Sequence, residues 1–441
     1  MKKIITILYL VSFLSIHNGN AQTWMTMSTG LGNSTESIKA IAENPITHEI
    51  YAGGTFTSPV SYLAKWNGTS WEQVGIGITG PVYSLAFKDQ ELYVGGLFSF
   101  AGAIAVNNIA KWALGEWSDV SGGFNGQVNC IYINAATEAI YAGGTFSLSG
   151  SNTMNHVSLL LANNWTQLGT GITAVVNTIT EFNGLLYSGC DNLSAPVQKF
   201  DGNNWSAVSG ISGGKVYALA PFSNYLYAGG DFSVPTFAAA KFNGTSWGTI
   251  QTTFLSTDKI FALSPRSNTV LYIGGKFNSL GIPNLQSSYA AKINSPITPL
   301  QTITSISSVL NGEVYAIGNQ NGKVIVGGKF TSPASNIAIT SATIDVNELS
   351  NFEITKNFFP NPTTGKAHLN IFTIQRLINP ILKVYDLQSK QIINLLTEIN
   401  INNNELEFIF DCTNLPAGNY YYILNSDGND ILSDKFVIIH K

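Results

Sequence analysis

Apolar and polar positions alternate in short runs separated by Gly, Asn, Asp and Pro, a pattern that predicts short strands and turns better than long helices. One run recurs. Tyr-x-Gly-Gly-x-Phe occupies 51–56, 93–98, 141–146, 227–232 and 272–277. Looser copies stand at 187–192, where Cys190 replaces the second Gly, and at 325–330. The first glycines fall at 53, 95, 143, 189, 229, 274 and 327, a mean spacing near 46. Three more strand-like pieces accompany each word. Ahead of it comes an apolar strand such as Val82-Tyr83-Ser84-Leu85, echoed at Ile38, Val128, Val176, Val216, Ile260 and Val314. Behind it comes Ala64-Lys65-Trp66, echoed at Ala110-Lys111-Trp112, Gln198-Lys199-Phe200, Ala240-Lys241-Phe242 and Ala291-Lys292-Ile293. The last piece opens with Trp71, Trp117, Trp165, Trp205 or Trp247. Asn67-Gly68, Asp201-Gly202 and Asn243-Gly244 read as type I′ hairpin turns before that tryptophan.

Four strands repeating every 40–50 residues or so are the signature of a propeller blade. The third residue of each first strand is Ala40, Ser84, Cys130, Thr178, Ala218, Ala262 or Ala316, small as the crowded axis of a propeller requires. The seventh repeat lacks a Trp strand, and its third strand is expected near Ser341 to Ile344. Trp24-Met25-Thr26-Met27 near the N-terminus has the missing pattern, so the first strand is expected to complete the last blade and remove the open edge. The predicted class is all-β, a seven-bladed β-propeller closed by the N-terminal strand, spanning 22–345, then a linker at 346–357. Residues 24–345 resemble bacterial surface propellers, Leu92 to Trp117 being the best copy. That resemblance implies fold more than activity.

Both ends carry addresses. Lys2 and Lys3 precede 13 residues from Ile4 to Ile16, too few to span a bilayer comfortably, and Gly19 and Ala21 precede Gln22. Residues 1–21 are therefore expected to be a cleaved signal peptide, and no transmembrane span is expected elsewhere. Residues 358–441 read as a small all-β unit. They carry Pro360-Asn361-Pro362, Val384-Tyr385-Asp386, Leu415-Pro416-Ala417-Gly418-Asn419-Tyr420 and Lys435, in that order. This series resembles the type A C-terminal sorting domain of the Bacteroidetes type IX secretion system. The resemblance implies an Ig-like β-sandwich read by the outer-membrane translocon and its sorting peptidase. It also implies a protein secreted or attached to surface lipopolysaccharide.

Composition narrows the chemistry. In 441 residues charged side chains make up 11%, against about 25% in an ordinary soluble domain, and the net charge is −4. No nucleic-acid partner is expected from that balance. Three cysteines form no disulfide framework, and no His pair, calcium loop, nucleophile elbow or phosphate loop is present, so no metal or cofactor is expected. The residue after each Gly-Gly is Thr55, Leu97, Thr145, Asp191, Asp231, Lys276 or Lys329. Asp191 and Asp231 on adjacent repeats are the candidate acids of a carbohydrate-active hydrolase or lyase, which needs paired carboxylates. Lys276 and Lys329 would make the same rim lopsided in charge. The connections from Phe98 to Ala110 and from Phe277 to Ala291 run 12 and 14 residues, against 8 from Phe56 to Ala64. Residues of these loops and of the long third-repeat segment, with Lys276 and Lys329, give Phe100, Met154, His156, Leu280, Lys276 and Lys329 as candidate contacts for a glycan or surface protein. The expected function is a binding or adhesion module, with the sugar-cleaving enzyme as the alternative.

Overall fold

The computed structural model describes residues 24–250, 254–267, 270–277, 289–294, 302–306, 309–341, 354–373, 381–386, 396–402, 405–426 and 429–439. Among them every regular element is a strand. The expected leader, most of the expected linker and Leu280 lie outside the described residues.

Residues 24–341 form four-stranded antiparallel sheets whose first strands are Ile38–Glu43, Val82–Lys88, Val128–Ile133, Val176–Phe182, Val216–Phe222, Lys259–Pro265 and Glu313–Gln320. The sheet of Val82–Lys88 continues with Glu91–Gly96, Ile109–Ala113 and Glu116–Asp119 in simple meander order. The Gly-Gly word is always the second strand. The last sheet differs in one respect. It holds Glu313–Gln320, Lys323–Lys329 and Ile337–Thr340, and its fourth strand is Trp24–Thr26, with Trp24 opposite Thr340 and Thr26 opposite Ala338. The third strand of this repeat thus lies at Ile337–Thr340, not at Ser341 to Ile344. Ile339 occupies the place of the template Lys, opposite Ile325 as Lys65 is opposite Tyr51.

The glycines explain how sheets meet. A side chain on the first Gly of each word would run into the Val or Ile that opens the next first strand. The Cγ of Val128 lies 2.7 Å from where a Cβ on Gly95 would stand, that of Val314 2.6 Å from Gly274, and that of Ile38 2.6 Å from Gly327. The second Gly has a different neighbour. A Cβ on Gly54, Gly96, Gly144, Gly230, Gly275 or Gly328 would overlap the carbonyl oxygen of Ser37, Pro81, Gln127, Lys215, Lys259 or Glu313. That carbonyl is forced inward because each first strand carries a β-bulge, for example between Val82 and Ser84. Tryptophans tie the rim of outer strands. The indole of Trp24 donates to the Ile306 carbonyl at 2.8 Å, Trp71 to Met27 at 3.2 Å, Trp165 to Val120 at 2.9 Å and Trp205 to Leu168 at 3.2 Å.

The Asn-Gly turns depart from expectation. Trp66 pairs with Trp71 across a four-residue connection, in which Asn67 Oδ1 accepts the backbone N–H groups of Thr69 and Ser70, and only Gly68 has positive φ. A longer Asx-stabilised loop therefore replaces the two-residue type I′ hairpin. Type I′ geometry appears instead at Leu114-Gly115 and Asn183-Gly184.

In the tail, Ile354–Phe359, Lys366–Thr373, Glu405–Asp411 and Leu396–Asn402 form one sheet, and Ile381–Tyr385, Gly418–Ser426 and Asn429–Ile438 another. Leu369 and Phe408 of the first share a buried core with Val384, Tyr422 and Phe436 of the second, making a two-sheet sandwich.

If the second glycine accommodates the bulge, Gly96→Ala will cost about 2–3 kcal/mol in urea unfolding. Gly248→Ala, whose Cβ meets nothing nearer than 3.9 Å, will stay within about 0.5 kcal/mol of the parent.

Candidate functional site

A bulge in every first strand breaks the in-out alternation by one residue, so two successive side chains turn toward a common space. The extra residues, skipped in each pairing register, are Lys39, Tyr83, Asn129, Asn177, Tyr217, Phe261 and Tyr315. All of them line one cavity of about 520 Å³. Beneath them lie Ala40, Ser84, Thr178, Ala218, Ala262 and Ala316. These small residues leave the space open, as their sequence position predicts. The volume falls in the roughly 300–1,000 Å³ range of small-ligand sites.

The wall is chemically uneven. Tyr217, Phe261 and Tyr315 form an aromatic arc with ring centroids 5.3 and 4.9 Å apart, and the Lys39 ammonium sits 3.4 Å from the Tyr315 centroid. Across from the arc, the Asn129 and Asn177 amides donate to the carbonyls of Val176 and Val216 at 2.9 and 3.0 Å, which holds both side chains still. Burial lowers the Lys39 pKa to about 8, with Lys329 adding to the drop and Glu313 opposing it.

Beside the lining, at the cavity mouth, the lining residues Asn177, Tyr217 and Tyr315 bond to Asp191, Asp231 and Glu313. Asp231 accepts the Lys215 N–H at 2.7 Å, the Tyr217 hydroxyl at 2.8 Å and the Lys259 ammonium at 3.1 Å. Burial pushes the Asp231 carboxyl up, but these three donors outweigh it and hold the group below the ordinary carboxylate range. Asp191 accepts from Asn177 and the Lys215 ammonium, both at 2.7 Å. Lys215 therefore bridges the two aspartates, its backbone on one and its side chain on the other. Glu313 accepts from Tyr315 and pairs with Lys276 at 3.6 Å. Thr55 and Thr145 hydroxyls accept the Ser37 and Gln127 N–H groups, doing for their strands what Asp231 does for its own.

The sequence candidates separate on this geometry. Asp191 and Asp231 bond to the cavity-lining Asn177 and Tyr217, Lys276 pairs with Glu313, and none of these nor Lys329 is itself a lining residue. Both aspartates already serve as acceptors for neighbouring donors. Phe100 is 44% exposed on a small hairpin of Phe100–Ala101 and Ile104–Ala105. Met154 is only 1% exposed, inside the core of its repeat, because its loop folds back on itself. His156 sits at φ 68 where the third strand begins, its Nδ1 2.7 Å from the Ile172 carbonyl. Tyr62, Asn108, Ala238, Tyr289 and Asn336 take the same backbone turn, so His156 occupies a template position. Cys130 and Cys190 are pushed by burial to about 12 and about 11, the opposite of an activated thiol. Sequence reasoning missed the bulged residues. Their signal was variability, since one strand position changes from Lys to Tyr, Asn or Phe while its neighbours keep their type.

Asp231→Asn should cost about 1–3 kcal/mol at neutral pH, because it leaves an ammonium and a hydroxyl without their acceptor. A carboxyl held below its ordinary range stabilises the fold above that range and stops doing so as pH falls through it. The stability gap between parent and variant should therefore close in acid unfolding below about pH 4.

The sorting residues of the tail fall into two sets. Val384 and Tyr420 are buried in the sandwich, and the Tyr420 hydroxyl closes on the Pro416 carbonyl at 3.0 Å, the corner device of Ig-type sandwiches. Pro360, Asn361, Pro362 and Pro416 are exposed, and Asn361 Oδ1 accepts the Val437 N–H at 2.9 Å. Tyr385 stacks on Tyr421 at 5.2 Å, which stands opposite Lys435 in the ladder. Asp386 follows Tyr385 directly, Leu415 packs against the core, and Gly418 begins the next strand.

The sequence matches no curated protein. Among solved structures, the chain is similar to one described as the extracellular domain of a hybrid two-component system of B. thetaiotaomicron, at 11% identity and TM-score 0.48. That alignment covers 96% of this chain and 59% of the other, so this chain spans well under two thirds of its length. A WD40 domain of Neurospora crassa Pan2 aligns at 10% identity and TM-score 0.47, covering 73% of this chain and 96% of that one. The computationally designed Ika8 protein aligns at 13% and 0.43, covering 71% and 98%. Likenesses this distant carry no functional argument, and the fold rests on the strand pairing. The family match is confined to the tail. Residues 357–439 match the secretion system C-terminal sorting domain, which marks the chain as cargo for the type IX machinery and places it at the cell surface or outside the cell.

Proposed function

We propose that the chain is an exported seven-bladed β-propeller, closed by its N-terminal strand, that binds a glycan or a surface protein in its axial cavity. The leader at 1–21 is removed on the way to the periplasm, and the Ig-like tail at 358–441 is read by the translocon and its sorting peptidase in a Bacteroidetes cell. The protein is then released or attached to surface lipopolysaccharide. Closure is supported by the pairing of Trp24–Thr26 with Ile337–Thr340, and by Ile38 seating on Gly327 as Val128 seats on Gly95.

One observation carries the binding role. The bulged residue varies among Lys, Tyr, Asn and Phe while the residues on either side of it stay branched aliphatic or small, and every copy lines one cavity. Residues that only build a repeat keep their type from copy to copy, whereas residues that meet a ligand need not. The enzyme alternative gains no comparable support. A sugar-cleaving acid has its pKa raised by its surroundings, whereas Asp231 is held low and bonded three times.

Glycan and surface-protein arrays probed with the chain purified from culture medium should give at least one ligand class, weakened at least tenfold by Tyr217→Ala with Phe261→Ala. Blank arrays would sink the binding role. Product release from a polysaccharide panel, lost in Asp191→Asn with Asp231→Asn, would establish the enzyme instead. A chain truncated after residue 345 should accumulate in the periplasm, checked by fractionation.

A further inference from the structure

The binding reading of the axial cavity leaves the chemistry of its ligand open, and the charges around the mouth narrow it. Among the described residues, the basic side chains there are Lys39, Lys215, Lys259, Lys276 and Lys329, and the acidic ones are Asp191, Asp231 and Glu313. Lys215 is spent on Asp191, Lys259 on Asp231 and Lys276 on Glu313. Lys39 and Lys329 remain without an ion pair. Lys329 is exposed, while Lys39 is drawn down onto the Tyr315 ring as a cavity-lining residue.

That placement is costly. An ammonium partly removed from water with no carboxylate in ion-pair contact is unfavourable, and Glu313 at longer range and a cation–π contact of about 0.5–2 kcal/mol offset only part of the cost. Blade packing does not call for the charge. The other first strands place Tyr, Asn or Phe at the same bulge and fold the same way. Next to Lys39 in the ring of bulged residues, the Tyr83 hydroxyl has no hydrogen-bond partner among the described residues, although the Tyr217 and Tyr315 hydroxyls have theirs. Lys39, which has no ion pair, and Tyr83, whose hydroxyl bonds to no described residue, therefore occupy neighbouring places in the ring of bulged residues, next to the aromatic arc that ends at Tyr315.

We propose that the axial cavity takes an anionic sugar residue, with its acid group between Lys39 and Lys329, one hydroxyl on Tyr83, and its C–H faces against Tyr315 and Phe261. Carboxylate-bearing and sulfate-bearing sugars share this chemistry. Aromatic rings suit the apolar faces of a pyranose, the lone ammonium suits its acid group, and the carboxylates at the mouth are already neutralised by their own lysines. A protein ligand would favour a broad exposed surface, whereas these groups converge inside a cavity.

The test is titration calorimetry on the intact exported chain, with three probes of equal length: an oligogalacturonate, a sulfated galactan oligomer and a neutral galactan oligomer. The expected result is binding of one or both acidic probes at least tenfold tighter than the neutral one, weakening as salt is raised. Lys39→Met should remove most of that preference, Lys39→Arg should keep it within a few-fold, and Lys329→Gln should fall between. Unchanged melting temperatures for these variants show that the loss is not unfolding. Equal affinity for acidic and neutral probes overturns the proposal while leaving a glycan-binding role in place. So does a Lys39→Met variant that binds the acidic probes as the parent does. Binding of a protein with no glycan bound also overturns it, and failure of every glycan and every protein overturns both readings.

Discussion

The contact on which the rest of the structure depends is a branched aliphatic side chain seated on a glycine of the neighbouring sheet. Val128 on Gly95, Val314 on Gly274 and Ile38 on Gly327 are the same contact repeated. Sheets that meet this closely gain dispersion over their whole faces, and a methyl group that holds them apart forfeits a large part of that gain. The first glycine of the word is therefore a packing surface. The second is cut away for a carbonyl that the bulge pushes inward. Together they impose Gly-Gly on one repeat after another, and they leave the residue at the bulge itself almost unconstrained.

That freedom is where fold and function part company. At the bulged position a side chain does not pair in the ladder, and sheets of the same order form with Lys39, Tyr83 or Phe261 there as with Asn129, which bonds to the Val176 carbonyl of the next sheet. One device builds the scaffold and aims a variable residue at a shared cavity, a division of labour between fold and site that lets one architecture serve many ligands.

Much of this was legible in the chain. Gly-Gly words at regular spacing announce the repeat, and Trp24 announces a strand that belongs with a distant partner. The last repeat was harder. Ile339 and Thr340 stand where other copies have Lys and an aromatic residue, so the third strand was invisible as a word and could be found only by its register against Ile325. The Asn-Gly pairs promised two-residue turns, yet Asn67 spends its side chain on two backbone N–H groups and lengthens the loop. The cavity lining escaped for a simpler reason. Alternation is the main sequence signal of a strand, and a bulge shifts it by one residue, leaving only the variability of a single position to show it. Met154 misled in the other direction, because an apolar residue in a long loop looks the same whether the loop faces solvent or folds inward.

The charges give the last step. Asp191 and Asp231 looked like a catalytic pair because they recur at one position on adjacent repeats. In the fold Asp231 accepts the N–H that opens its first strand, the role Thr55 and Thr145 fill with hydroxyls elsewhere, and Asp191 accepts from Asn177 and Lys215. A carboxylate in this place brings a lysine with it, Lys215 or Lys259, to balance the charge. Asp191, Asp231 and Glu313 with the three lysines paired to them therefore form a self-compensating set, and a ligand approaching the cavity meets little net field from these six. Lys39 stands outside that set. It forms no ion pair, Glu313 only partly offsets the burial that works against its charge, and its repeat would fold with a neutral residue in its place. A group that the scaffold neither needs nor pays for elsewhere is best understood through what it can hold.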